Sequence, residues 1–303
     1  MSRFLLKLII FIFPILLLMV GLEIALRNLP NDYKLKWSSL TQKEAELEVL
    51  VFGSSHAFYG VNPYYLGTNA YNMSYVSQTI NQELSIFSEK KEKLKNLKRI
   101  YWLISSFSLG SDLESLNSAS RYKNYVLYYG SKGTRLEHYS ELLSYNLKSS
   151  LGRLKSCYYD HNFSYNCDSL GFSGRTKNME LEKTAKAAAK RHRVDFQDKE
   201  VLKLIKKQLL GLNEVLDFCE ENEIEVVFLI PPFTSHYIDA VGVHQWNELD
   251  RRMKKLTKRR EYCTYDNLMN AKEFEDSDFY DGDHLNEEGA EKLSKLLVEK
   301  TKK

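Results

Sequence analysis

Val49-Leu-Val-Phe-Gly-Ser-Ser-His-Ala57 reads as a buried strand running into a Gly-Ser-Ser turn, and the rest of the chain is read outward from it. Four apolar residues are a strand's length, and Gly53 frees the backbone to turn and present the serines at the strand's carboxyl end. Apolar runs of similar length recur at 47–52 (this one), 70–73, 99–105, 224–230 and 262–265. Helical periodicity lies between several of them. Over 79–97 the apolar positions are Ile80, Leu84, Ile86, Phe87 and Leu94; over 201–222 they are Leu202, Ile205, Leu209, Leu212, Leu216 and Phe218. A last helix is expected from Asn286, a good N-cap followed by Glu287 and Glu288, to about residue 300. This alternation predicts an α/β layer fold with a mainly parallel sheet.

The chain has 303 residues and a net charge of +3, which calls for no nucleic-acid partner. Residues 4–26 are apolar except at Lys7, Pro14, Gly21 and Glu23, and about 20 apolar residues suffice to cross a bilayer. A transmembrane anchor is therefore expected over 1–27. Arg3 and Lys7 at its leading end predict a cytoplasmic N-terminus with the remainder extracytoplasmic. A cleaved signal peptide is the rival reading; it lacks a small-x-small cleavage site. A polar stalk follows over 28–46, then one domain over 47–303. The four cysteines, Cys157, Cys167, Cys219 and Cys263, can pair in an exported protein, and Cys157 and Cys167 are close enough to staple a short loop. No Cys/His spacing fits a structural zinc.

Between about 111 and 198 the alternation stops and tyrosine becomes frequent, at 122, 125, 128, 129, 139, 145, 158, 159 and 165. A loop that long without structure does not suit a compact domain, so a partly helical insertion is expected. Its tyrosines serve as packing against the sheet or as a surface that stacks on sugar rings. The basic runs 183–193 and 251–260 read as solvated helix faces.

Serine is a weak nucleophile until a base takes its proton. The Gly53-Ser54-Ser55 turn supplies hydroxyls, and the distant Asp281-Gly-Asp-His284 supplies an imidazole with two carboxylates beside it. A carboxylate on Nδ1 of His284 would leave Nε2 free to act as base. Asp281 and Asp283 compete for that place, and both also suit a turn that caps the last helix. His56 should point away from Ser55, as a packing or substrate-contacting residue. His236 follows the fourth strand at the carboxyl edge, where open α/β sheets bind ligands.

The two end segments resemble the first and last blocks of the SGNH/GDSL hydrolase superfamily. The resemblance implies a flavodoxin-like three-layer sandwich over 47–303. It aligns the nucleophile of Gly-Asp-Ser with Ser55, Ser54 standing at the aspartate, and the closing Asp-x-x-His with Asp281 and His284. It also implies an oxyanion hole built from the amide of Ser55 and a second-block amide, for which Ser77 in Asn72-Met-Ser-Tyr-Val-Ser-Gln-Thr79 is the match. The family's third block, Gly-x-Asn-Asp, is replaced by Ile104-Ser-Ser-Phe-Ser-Leu109, so Gln78, Ser105 or Ser106 would have to supply the missing side-chain donor. The combination of anchor, Gly-x-Ser-His and Asp-x-x-His-Leu-Asn looks like divergent members that modify surface polymers. It implies an esterase or O-acyltransferase that acts on a cell-surface polysaccharide or glycoconjugate through an acyl-serine. No metal or cofactor is implied, and a multi-span membrane acyltransferase is a natural partner. The absent asparagine motivates an alternative, a glycan-binding or assembly protein that keeps the fold without catalysis. A lipase is disfavoured because no extended apolar cap is evident.

Overall fold

The computed structural model describes residues 2–67, 69–114, 119–176 and 179–300; positions 115–118 and 177–178 of the expected insertion lie outside them. Along the chain run helices α1 (Ser2–Arg27) and α2 (Asp32–Lys43), strand β1 (Val49–Phe52), helix α3 (Ser55–Gly60), strand β2 (Ala70–Asn72), helix α4 (Ile80–Lys90) and strand β3 (Arg99–Leu103). Helices α5 (Ala119–Tyr129), α6 (Leu147–Leu154), α7 (Leu181–Arg191) and α8 (Lys199–Glu221) follow. Strand β4 (Glu225–Ile230), helices α9 (Ser235–Val241) and α10 (Val243–Thr257), strand β5 (Cys263–Asn267) and helix α11 (Glu287–Lys300) complete it. Packing divides the chain into two compact units, residues 38–115 with 167–303, and residues 1–37 with 116–166.

The first unit carries the sheet, all parallel, in the order β2-β1-β3-β4-β5. This is a doubly wound order: β1 lies between β2 and β3, so the crossovers reverse there and open a crevice at the strands' carboxyl ends. Both faces of β1, β3 and β4 are buried, which is why these strands read as nearly continuous apolar runs. On one face Val51, Tyr101, Leu103, Val227 and Leu229 pack with Ala57 and Val61 of the α3 region and Leu293 and Leu297 of α11. The alternate residues face the other way, where the rings of Phe52, Trp102 and Phe228 form a row with spacings of 5.1 and 5.6 Å. The Trp102 indole N–H there donates to Glu83 of α4. Burial holds the Glu83 carboxyl up at about 7, although Trp102 and Gln78 pull it down.

Helix α4 stops at Lys90, short of the expected 97, and a 3₁₀ turn over Lys91–Lys93 takes over. Leu94 still reaches the core, so the apolar period outlasts the helix. The final helix begins as expected: Asn286 caps it by accepting from the Gly289 amide at 2.9 Å. The basic runs lie on α7 and α10, where Lys183, Lys186, Lys254 and Lys255 are exposed while Ala185, Ala188, Leu249 and Met253 are buried. The segment expected as a stalk holds α2, on which Lys36 and Leu40 are buried.

In the second unit α1 is one helix long and apolar enough to cross a bilayer. Just before its end Glu23 accepts from the amides of Glu141 and Leu142, at 3.0 and 2.9 Å, and from the Ser140 hydroxyl. Tyrosines 122, 125 and 129 of the insertion are buried, Tyr129 stacking on Trp37 at 4.9 Å; Tyr139, Tyr158, Tyr159 and Tyr165 are exposed. The insertion is thus partly helical, and its tyrosines divide between packing and surface. The structure joins none of the four cysteines in a disulfide.

Candidate active site

Ser55 stands where β1 meets α3, at the switch point of the sheet. The turn depends on Gly53, whose φ is +145° and on which a Cβ would sit 2.7 Å from Ala57 Cβ and 3.0 Å from the Leu103 carbonyl oxygen. No other residue fits that conformation and space. Asn72, at the end of β2, clamps α3 by donating to the carbonyls of Ala57 and Val61, both at 2.8 Å. Among the described residues the Ser55 amide has no acceptor, which leaves it available to an oxyanion.

The late segment is a tight loop closed by a bridge between Phe279 and Leu285 and by the Tyr280 amide donating to the His284 carbonyl at 2.9 Å. Thr184 and Thr234 pin its centre: the Gly282 amide donates to Thr184 Oγ1 at 2.9 Å, and Thr234 Oγ1 donates to the Gly282 carbonyl at 2.5 Å. Gly282 lies flat against α7, where a Cβ would come 2.3 Å from the Ala185 amide nitrogen. So held, His284 brings Nε2 to 2.8 Å from Ser55 Oγ, across 229 positions of sequence. Its Nδ1 lies 2.9 and 3.1 Å from the two Asp281 oxygens. With the Asp281 carboxylate accepting the hydrogen bond from Nδ1–H, Nε2 is left to accept from the serine hydroxyl. Asp281 Oδ1 also accepts from the amides of Asp283 and His284, at 3.1 and 2.9 Å, so it shapes the turn and orients the ring together.

Asp283 is a second carboxylate to the same imidazole, 3.5 Å from His284 Nδ1 and only 2% exposed. Its Oδ2 accepts from His56 Nε2 at 2.9 Å, and His56 Nδ1 lies 2.5 Å from Ser105 Oγ. One neutral tautomer satisfies this buried Ser105–His56–Asp283 chain: Nε2–H donates to the carboxylate and Nδ1 accepts from the hydroxyl. Beyond it His192 stacks on Phe107 at 4.0 Å, places Nδ1 2.7 Å from the Tyr237 hydroxyl and stands 3.8 Å from Asp283. His56, Asp283 and His284 are the group whose ligand atoms, within 4.8 Å of one another, would meet around a cation. His56 and Asp283 are hydrogen-bonded to each other and both His284 nitrogens are engaged by Asp281 and Ser55, so the set reads as a proton-holding network.

Electrostatics separates the three histidines. Burial, the largest influence on His284, lowers it; the Asp283 charge and then the bond to Asp281 outweigh burial and hold it above the ordinary histidine range. Burial keeps His56 low despite its bond to Asp283, and takes His192 down to about 3 against the same charge. Asp283 stays ionised: burial raises it, and the surrounding imidazoles, His284 foremost, pull it well below the usual carboxylate range.

The remaining candidates separate by burial. Ser77 holds φ +61°, the left-handed conformation that a second-block glycine would adopt. Ser77→Gly is therefore expected to keep or raise the melting temperature in a thermal unfolding scan, whereas Ser77→Val should lose about 1–2 kcal/mol. The Gln78 amide is committed inward, donating to the Gly53 carbonyl at 3.3 Å and hydrogen-bonding Glu83. Ser105 and Ser106 are likewise enclosed, on His56 and on Tyr237 at 3.3 Å. No side-chain oxyanion donor comes from these three. His56 is 3% exposed with both nitrogens engaged, so it is not the substrate-contacting residue expected; its position one past Ser55 turns it under the turn. His236 is half-buried beside Glu182, Lys183 and Lys186 in a cleft of about 550 Å³. His192, in a basic run, has no partner that the sequence can name, and nothing in the sequence singles out Arg175, inside the insertion. Tyr59 had a signal: it stands one helical turn after Ser55. Compared with known proteins, the chain matches no family model and no curated protein.

Proposed function

We propose that the chain is a membrane-anchored, SGNH-like serine esterase or O-acyltransferase that modifies a cell-surface polysaccharide or glycoconjugate. The observation that carries this reading is the continuous Ser55–His284–Asp281 chain, with contacts of 2.8 and 2.9 Å at the switch point of a parallel sheet. In the first half-reaction Ser55 Oγ attacks the ester carbonyl while His284 Nε2 takes its proton. The tetrahedral oxyanion forms against the Ser55 amide. His284 then protonates the departing alcohol, leaving an acyl-serine. In the second half-reaction His284 deprotonates water, for an esterase, or a sugar hydroxyl, for a transferase; that oxygen attacks the acyl carbonyl, and His284 returns the proton to Ser55 Oγ as it leaves. The apolar α1 with Arg3 and Lys7 at its start favours a catalytic unit on the extracytoplasmic side, beside lipid-linked substrates and a multi-span acyl-donor partner.

One observation favours the non-catalytic alternative: the serines standing at the third block are turned inward and leave the oxyanion without a side-chain donor there. Intact-mass measurement after exposure of the full-length protein, in detergent micelles, to a fluorophosphonate separates the two. An adduct on Ser55, absent from Ser55→Ala and greatly slowed in His284→Ala, is the expected result. Wild-type protein that stays unmodified, or labelling indifferent to His284, would move the assignment to glycan binding.

A further inference from the structure

Arg175 is the one partly buried arginine of the sheet-bearing unit with no carboxylate within ion-pair distance among the described residues. The others are matched: Arg99 with Glu225 at 2.6 Å, Arg252 with Glu248 at 3.0 Å, and Arg260 with Asp217 at 2.7 Å. A guanidinium taken partly out of water is costly without an anionic partner. What Arg175 has instead is aromatic. Its Nη2 donates to the Tyr59 hydroxyl at 2.6 Å, its guanidinium carbon lies 4.4 Å over the Tyr59 ring, and the Tyr280 ring is 5.5 Å away. These contacts hold the group in place and leave most of its N–H donors unused.

Its position ties it to the reacting groups. Tyr59 lies one turn after Ser55 on α3, and its ring meets His284 edge-on at 5.3 Å. The Arg175 carbonyl accepts from the Glu287 amide at 2.9 Å, just beyond the segment that carries Asp281 and His284. The positive charge is felt by His284, pressing its imidazolium downward after burial and against the two aspartates. Of the nearby carboxylates, Asp281 serves His284 and Asp283 serves His56, while that of Glu287 lies against Gly174 and forms no ion pair with Arg175 among the described residues.

We infer that Arg175, held on Tyr59 and Tyr280, is a substrate-recognition residue that binds an oxyanion group, a carboxylate or a phosphate, carried by the glycan or glycoconjugate undergoing acyl transfer. The inference rests on the acyl-transfer reading for the word substrate; the anion site itself stands on the geometry of Arg175. A planar, fixed guanidinium with free donors matches either group bidentately. The polymer addressed is accordingly an acidic one, its charge close to the hydroxyl or ester that reaches Ser55.

The test is an equilibrium titration of the full-length protein in detergent micelles with methyl glucuronoside and glycerol phosphate, against methyl glucoside and glycerol as neutral counterparts. Wild type should bind the anionic member of a pair more tightly, by roughly tenfold to a hundredfold as expected for hydrogen bonds to a charged group. The pair showing the preference tells a uronate-type polymer from a phosphate-containing one. Arg175→Gln should erase the preference, and Arg175→Lys should keep only part of it, because the charge remains while the fork is lost. A thermal melt of each variant checks that it is folded. Equal affinity of wild type for anionic and neutral ligands, or a preference that survives in Arg175→Gln, overturns the inference. A preference that depends on Arg175 in a protein whose Ser55 takes no fluorophosphonate would sink the catalytic reading and leave the anion site standing.

Discussion

Asp281→Asn is expected to slow fluorophosphonate labelling of Ser55 by about 10⁴-fold, the loss typical when an orienting carboxylate becomes an amide and the wrong histidine tautomer is favoured. Among the described residues Asp281 is the only side chain that meets His284 Nδ1 at hydrogen-bonding distance, 2.9 Å, and its other contacts are backbone amides that an asparagine oxygen still satisfies. The turn therefore survives while the tautomer does not. Asp283→Asn should behave differently, because that carboxylate stands 3.5 Å off and acts chiefly through its charge. Labelling needs neutral His284, so its rate rises with pH through a midpoint that lies above the ordinary histidine value. Asp283 contributes most to that upward shift, and removing its charge should move the midpoint to lower pH with a much smaller loss at the plateau. Rate against pH for wild type and the two variants measures both effects. Equal damage from the two substitutions, or a midpoint in Asp283→Asn that stays put or rises, would contradict the division of labour drawn from the distances.

Glu141→Gln should destabilise the unit that contains α1 by about 3–5 kcal/mol, the usual cost of leaving buried charge unmatched. Glu141 is completely enclosed and accepts from Lys123 Nζ, Tyr128 Oη and Arg153 Nη1, each at 2.8 Å. Burial raises its carboxyl, and the two cations, Lys123 first, more than reverse this and keep it low. Lys123 is 1% exposed, and without Glu141 its ammonium keeps the neutral Asn124 oxygen, at 2.8 Å, and the Tyr145 ring, at 5.3 Å, but no carboxylate among the described residues. Lys123→Met should be milder, since Arg153 and Tyr128 still satisfy the carboxylate. Thermal unfolding of the full-length protein in micelles reads the difference; a Glu141→Gln melting temperature close to that of wild type, or above that of Lys123→Met, would refute it.

Much of the sheet was legible in the chain because β1, β3 and β4 are apolar runs buried on both faces and fall within the expected segments, whereas the edge strand β5 is polar and largely open to solvent. Helix ends were less legible. α4 ends where a 3₁₀ turn begins, although its apolar spacing runs on through Leu94. At the site, Asp281 and His284 were readable as a local i, i+3 pair, and Ser55 as the residue after a strand and a glycine. The buried chain of Ser105, His56 and Asp283 was not, since its members come from three separate segments and only the closed sheet brings them together. Arg175 was equally silent: nothing adjacent to it in sequence says that its neighbours will be tyrosines and not a carboxylate.

What the sequence determined by itself is the local chemistry: which segments bury both faces, where a glycine must turn, and which histidine has an aspartate within reach of the same loop. These follow from short-range sterics and hydrophobic periodicity, which act over a few residues. Only the tertiary structure decided which of two aspartates bonds the imidazole, which histidine is shut away, and which guanidinium keeps its charge unmatched. Those outcomes depend on desolvation and on distances between groups far apart in the chain, quantities that exist only once the sheet has closed around them.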